Sequence, residues 1–231
     1  EGILFKRRAE EILSLINKTE KEIMQDSEEL EGTISLGGGE LRSVDFLATK
    51  MAEFQKLHPK VAFDFQTTTS DIIKDQMDKG LMDIGLLLEP IEIDRYNYFR
   101  LSVKENWCAM IPAESKLAKK KTISPSDLRN EKFILPRRCI VKNELSSWLG
   151  TDTTKLDIVA SHNLNSNSAV MVSKGIGISL SIETDMIKAF PGIKVIPLKP
   201  KLTARTVVAW KKNIPMNAAT AKFIEFMREK D

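Results

Sequence analysis

The sequence predicts an α/β fold: two consecutive strand–helix units with a cleft between them, preceded by one long helix. Three observations carry this. From Thr33 onward, short apolar runs alternate with segments of helical periodicity across short connections, the pattern of a parallel sheet covered by helices. Asp83-Ile84-Gly85-Leu86-Leu87-Leu88 is nearly continuous in apolar residues, as strands buried on both faces are. The first thirty residues follow a different rule, a narrow apolar seam flanked by charge.

The seam is Phe5, Ala9, Ile12, Ile16, Thr19, Ile23, Asp26 and Leu30, stepping alternately by four and three, with Lys6, Arg7, Glu10, Glu11, Lys18 and Lys21 around it. No Pro or Gly interrupts Ile3 to Glu31, so one helix of about eight turns follows. A long helix with so narrow a stripe pairs with another helix or lies on its own domain. Thr19 and Asp26 weaken the seam, which points to a modest dimer contact. Gly32 supplies the exit.

In the first unit, Thr33 to Leu36 reads as a strand running into Gly37-Gly38-Gly39. A helix follows over Val44 to Leu57, with Val44, Leu47, Met51 and Phe54 on one face and His58-Pro59 as its stop. Val61 to Gln66 is a strand; Thr67 to Asp71 is a polar turn able to cap a helix to Lys79, and Gly80 ends it. The strand Asp83 to Leu88 completes a right-handed β-α-β-α-β unit. Ligands of such sheets sit outside the carboxyl ends of the strands. Here those ends are the three glycines, Thr67 to Ser70, and Leu88-Glu89-Pro90.

The second unit contains strands at Trp107 to Pro112, Phe133 to Leu135, Leu156 to Ala160, Ile176 to Ser181, Ile193 to Leu198 and Thr206 to Lys211. Its helices fall at Asn143 to Leu149, Asn165 to Lys174 and Ile182 to Ala189, with a last one at Asn217 to Lys230. Gly175 stops the second of them.

Composition narrows the function. The 231 residues suffice for one large domain or two small ones, and 42% hydrophobic with 29% charged residues is ordinary for a soluble globular protein. A net charge of +3 is too small for a surface that coats nucleic acid. No apolar run nears the roughly 18 residues of a membrane span, and no signal peptide opens the chain. Only two cysteines occur, Cys108 and Cys139, far apart and beside apolar runs, as buried thiols of a reducing cytosol are.

The chemistry-bearing stretch is Leu36 to Ser43. A strand that ends in glycines and restarts as a helix leaves N–H groups facing a crevice, where an anion can sit. It matches neither GxGxxG nor a P-loop, so no nucleotide is implied. Of the two histidines, His58 sits in a helix exit and His162 at a strand end. Neither metal-ligand spacing nor a Gly-x-Ser-x-Gly elbow is present, so no enzyme, metal or cofactor is expected.

Four stretches together resemble a known family. Leu30 to Gly37 is similar to its "L-x-G-x-L-x-I-G" entry, Phe54 to Val61 to "F-x-x-x-x-P-x-V", Lys79 to Leu86 to "x-G-x-x-D-x-A-I", and Val172 to Leu180 to "V-x-x-G-x-G-I-x-x-L-P". The chain thereby resembles the effector-binding domain of LysR-type transcriptional regulators, with residues 1–31 as the linker helix. It departs in Ser181, where Pro is usual, and Gly85, where Ala is commoner.

The resemblance implies two Rossmann-like subdomains of the type II periplasmic-binding-protein kind. Subdomain I is expected at 32–102 plus 204–231 and subdomain II at 103–203, with a small effector bound between them. It implies a cytoplasmic homodimer or homotetramer of a bacterial regulator, away from membranes. Promoter DNA would be read only through an N-terminal winged helix-turn-helix missing from this sequence. By the same carry-over, Gly39, Glu40, Leu41, Thr69 and Ser70 line the cleft on one side. Leu135, Pro136 and Arg137 face them, with His162 and Asn163 nearby. N–H groups, hydroxyls and the Arg137 fork suit a polar metabolite such as a carboxylate, whereas an inward Glu40 would repel an anion. Two other readings share the features: a solute-binding protein of the same two-lobed form, and a thiol sensor through Cys139, beside Arg137 and Arg138.

Overall fold

A computed structural model describes residues 2–23, 30–137 and 139–229. The N-terminal helix α1 (Gly2–Ile23) is followed by β1 (Gly32–Gly38), α2 (Val44–Leu57), β2 (Val61–Thr67), α3 (Ser70–Asp78) and β3 (Ile84–Leu88). Next come the long strand β4 (Tyr96–Pro112), β5 (Lys132–Pro136), α4 (Cys139–Leu149), β6 (Asp157–His162) and α5 (Asn165–Ser173). The chain finishes with β7 (Ile178–Ile182), α6 (Asp185–Lys188), β8 (Ile193–Pro197), β9 (Thr203–Lys211) and α7 (Ala218–Arg228).

Strand order is β2-β1-β3-β9-β4-β7-β5-β6, with β8 pairing β4. β1 pairs parallel with β2 and β3, as the short crossovers require. β9 then runs antiparallel between β3 and β4. β4 and β9 thus join two halves of the sheet. The first part of β4 pairs with β9, and from Trp107 onward β4 pairs antiparallel with β7 and β8. The β4–β9 register shifts between Arg100 and Lys104.

Each half has its own core. Phe54 on α2 packs edge-on against Phe223 of α7 with ring centroids 5.0 Å apart, over Ile34, Leu36 and Val208. In the other half Ala109, Ile111, Phe133, Leu135 and Leu180 pack together. Each fully buried large side chain contributes about 1.5–3 kcal/mol, so both halves hold a substantial core.

Four expectations are corrected. Described helical structure in α1 ends at Ile23, while Leu30 and Glu31 are not helical. The seam position Asp26 lies outside the described residues, as do the other residues from 24 to 29. β4 starts at Tyr96 rather than Trp107, because its first part is a half-exposed strand whose Arg100, Lys104 and Glu105 interrupt the apolar pattern. β9 likewise begins at Thr203. Ile182 ends a strand instead of starting a helix. It pairs with Trp107, and the following helix is set by Thr184, whose hydroxyl accepts from the Ile187 N–H at 3.3 Å.

One edge of α1 lies beside the globular part. Glu11 meets Lys79 at 3.5 Å, and Leu15 lies close to Gly80. The seam residues Phe5, Ile12 and Ile16 sit about a quarter-turn further round and are 77%, 57% and 47% exposed.

Candidate functional site

The carboxyl ends of β1, β2 and β3 face the ends of β5 and β6 across a cavity of about 120 Å³. Gly39, Glu40, Leu41, Thr69, Ser70, Pro136, Arg137, His162 and Asn163 line it, so the structure brings these expected residues together. Leu135 does not belong. Strand alternation turns it into the core beside Phe133 and Leu145, fully buried. Sequence reasoning missed Trp107, Asn165, Leu180, Ser181 and Ile182, and had Thr68 and Leu88 only within strand-end stretches. Ser181 had a signal, since it departs from the family pattern. Leu88 and Trp107 also border a more open hollow of about 390 Å³ beside Glu89, Glu144 and Arg205.

The glycine loop has a different role from the one its sequence suggests. A Cβ on Gly37 would fall 2.3 Å from Met82 Sδ and 3.0 Å from Ile73 Cγ1, and one on Gly38 would fall 2.9 Å from Phe65. These glycines admit core side chains against β1 rather than a ligand. The N–H groups entering α2 are already taken as well. Glu105, fully buried on β4, accepts from Arg42 N and Ser43 N through separate oxygens, both at 2.9 Å. Thr206 Oγ1 donates to Glu105 at 3.1 Å, and Ser43 Oγ donates to Thr206 Oγ1 at 3.1 Å. The expected anion site is therefore filled from within by this chain's own carboxylate.

Glu40 does the same for a second helix. Its Oε2 accepts from Ser166 N at 2.9 Å, at the start of α5, and its carbonyl accepts from Asn165 Nδ2 at 3.3 Å. The cap residue of α5 is Leu164, which has no side-chain oxygen, so the acceptor comes from across the cavity. Glu40 thus turns toward α5 and braces the two walls.

The N-terminus of α3 differs. Thr69 caps it in extended backbone without a side-chain hydrogen bond, and Thr68, Thr69 and Ser70 all line the cavity. Opposite, Arg137 is exposed, with its Nε donating to Ser161 Oγ at 3.3 Å and its N–H to His162 O at 2.9 Å. His162 is buried, and burial pushes its pKa below the ordinary value, against the opposing effects of Leu164 O and the Glu40 charge. It is therefore neutral at pH 7. Its Nδ1 lies 3.1 Å from Leu164 O, which fixes Nδ1–H as the donor and leaves Nε2 to accept from Ser179 Oγ at 3.5 Å. Ser181 also lines the cavity, and its buried hydroxyl has no hydrogen-bond partner among the described residues.

Among the described residues the arrangement offers hydroxyls, a helix N-terminus and the Arg137 cation to a small polar molecule. Among the described residues no group of His, Cys, Asp and Glu is placed to hold a metal ion. Cys108 is buried and donates to Ser181 O at 3.5 Å. Burial, with the Glu183 charge, pushes its thiol up to about 12, so it is no ready thiolate. Arg138 and the Cys139 side chain lie outside the described residues.

Known proteins resemble this chain in sequence and in fold. The chain is 25% identical over 202 residues to the HTH-type transcriptional regulator YtlI of Bacillus subtilis, covering 85% of this chain and 64% of that protein. It is 26% identical over 234 residues to an uncharacterized HTH-type transcriptional regulator of Methanocaldococcus jannaschii, covering 98% of this chain and 78% of the relative. The chain therefore spans less than two thirds of YtlI's length. Its fold matches a solved structure described as the effector binding domain of QuiR in complex with shikimate. The TM-score is 0.76 at 18% identity, over 86% of this chain and 96% of that one. The family model described as the LysR substrate binding domain matches residues 27–231, and the chain belongs to that family.

Proposed function

We propose that this chain is the effector-sensing and oligomerisation part of a LysR-type transcriptional regulator. A small polar metabolite, with a carboxylate as its natural head group, binds between the two halves of the sheet. The observation that carries this reading is the cavity itself. It draws on both halves and combines Arg137, the hydroxyls of Thr68, Thr69 and Ser70, and an α3 N-terminus with no side-chain cap. A cavity of about 120 Å³ suits a ligand near the size of a single ring, since about 150 Å³ takes benzene.

The subdomain limits at 102/103 and 203/204 are supported by the register shift between Arg100 and Lys104 and by the start of β9 at Thr203. Pairing of α1 with a second copy, as a homodimer or within a homotetramer, is supported by its exposed seam. Promoter DNA would be read by a winged helix-turn-helix outside this sequence, in the cytoplasm where such DNA lies. No described helix is long and apolar enough to cross a membrane. Sensing rather than catalysis fits the relatives named as transcriptional regulators.

A thermal-shift screen of small organic acids and amino-acid-like metabolites tests the reading, because a ligand of the native state raises Tm. Hits lost on Ser70→Ala or Arg137→Ala support it. Hits indifferent to both would move the site elsewhere.

A further inference from the structure

The N-termini of α2, α3 and α5 are not equivalent. Those of α2 and α5 already carry carboxylates of the chain itself, Glu105 and Glu40. At the start of α3 the cap residue Thr69 makes no side-chain hydrogen bond, and Asp71 is the acidic residue of the first turn. Among the described residues, Arg137 is the cavity's cationic lining residue, because the buried His162 is neutral. Glu40 and Ser181 belong to the same lining. Glu40 presents a carboxylate whose Oε2 accepts from Ser166 N, and Ser181 has a buried hydroxyl without a partner among the described residues. The lining can therefore neutralise a negative charge at Arg137, while the Glu40 carboxylate favours a hydrogen-bond donor over a second anion.

We propose that Glu40 is the selectivity residue of this cleft: its carboxylate, seated on the α5 N-terminus, admits a monocarboxylate bearing a hydroxyl or ammonium donor and refuses dicarboxylates. This rests on the effector-site reading above. A second ligand carboxylate would meet Glu40 instead of the Ser166 N–H, and like charges in a partly buried site repel. A hydroxyl or ammonium there donates to the Glu40 carboxylate. The Ser166 N–H belongs to the first turn and has no acceptor within its own helix, so its protection from solvent exchange depends on Glu40.

The experiment uses the full chain as wild type, Glu40→Gln and Glu40→Ala. Amide hydrogen exchange at Ser166 is measured without ligand, and thermal shifts are measured with lactate, L-serine, succinate and L-malate. The expected result is a rise in Ser166 exchange of about tenfold or more in Glu40→Ala, the loss of one charge-assisted bond. Wild type should favour lactate and serine over succinate and malate, and Glu40→Ala should reverse that order. Glu40→Gln keeps the size of the side chain and an acceptor but not its charge, so serine should lose more than lactate. A rank order that Glu40→Ala leaves unchanged overturns the selection, as does a dicarboxylate preference in wild type. Unchanged Ser166 exchange in both variants overturns the seating of Glu40. If every probe is silent in all three proteins while Ser166 protection is lost, the carboxylate reading of the cleft falls and takes the selection with it.

Discussion

Glu105→Gln is the most informative single change, because it keeps the side chain's size and removes only the charge and one acceptor. In the native chain one oxygen accepts from Arg42 N, and the other from Ser43 N and Thr206 Oγ1, with the carboxylate fully buried. A glutamine amide can place its oxygen toward Ser43 and Thr206, but its NH₂ group then faces the Arg42 N–H, donor against donor. That orphans a buried N–H at about 1–3 kcal/mol and weakens the two remaining bonds by roughly 0.5–1 kcal/mol each. Relief of the carboxylate's own desolvation offsets part of this. The donors win, since all three groups facing Glu105 are donors, and about 2–4 kcal/mol of stability is lost. For a chain of 231 residues that lowers Tm by roughly 5–15 °C, at about 2–4 °C per kcal/mol. Differential scanning calorimetry reads it directly. A Tm within about 2 °C of wild type would refute the assignment of Glu105 as the anion that holds the start of α2.

His162 carries a pH dependence with a defined sign. Its folded pKa lies below the ordinary value of about 6.5, so the stability it contributes is present above that pH and is lost as pH falls through the folded pKa. Melting curves from pH 7.5 to 5.0 should fall more steeply for wild type than for His162→Gln, and parallel curves would count against the buried neutral ring. Replacing both Ile12 and Ile16 by Glu should turn an equilibrium dimer into a monomer by analytical ultracentrifugation, with the melting of the α/β part retained. An unchanged dimer would place the self-contact elsewhere.

The order of elements was largely legible in the residues, because buried strands such as β3 and helices closed by His58-Pro59 or Gly80 carry local signals. Strand-end residues could be placed around one cavity for the same reason: in a doubly wound sheet topology sends those ends to one side. What escaped depends on partners distant in sequence. Glu105 lies just before the strand expected from Trp107 and draws no reading, because only the approach of Arg42 and Ser43 makes it a buried anchor. Glu40 reads as a repulsive charge until α5, well over a hundred residues later, supplies its N–H. Gly37 and Gly38 suggest ligand access, whereas Met82, Ile73 and Phe65 require their missing side chains. Leu135 adjoins the site in sequence, but strand alternation turns it into the core.

The proposed function depends on a small polar metabolite binding between the halves, held by Arg137 and the α3 N-terminus. Isothermal titration of the strongest screening hit into wild type, Ser70→Ala and Arg137→Ala tests it most directly. Loss of a charge-assisted pair at Arg137 should weaken binding about tenfold or more, and loss of the Ser70 hydroxyl by a smaller factor, with both variants melting near wild type. Equal affinity in all three proteins would contradict the account.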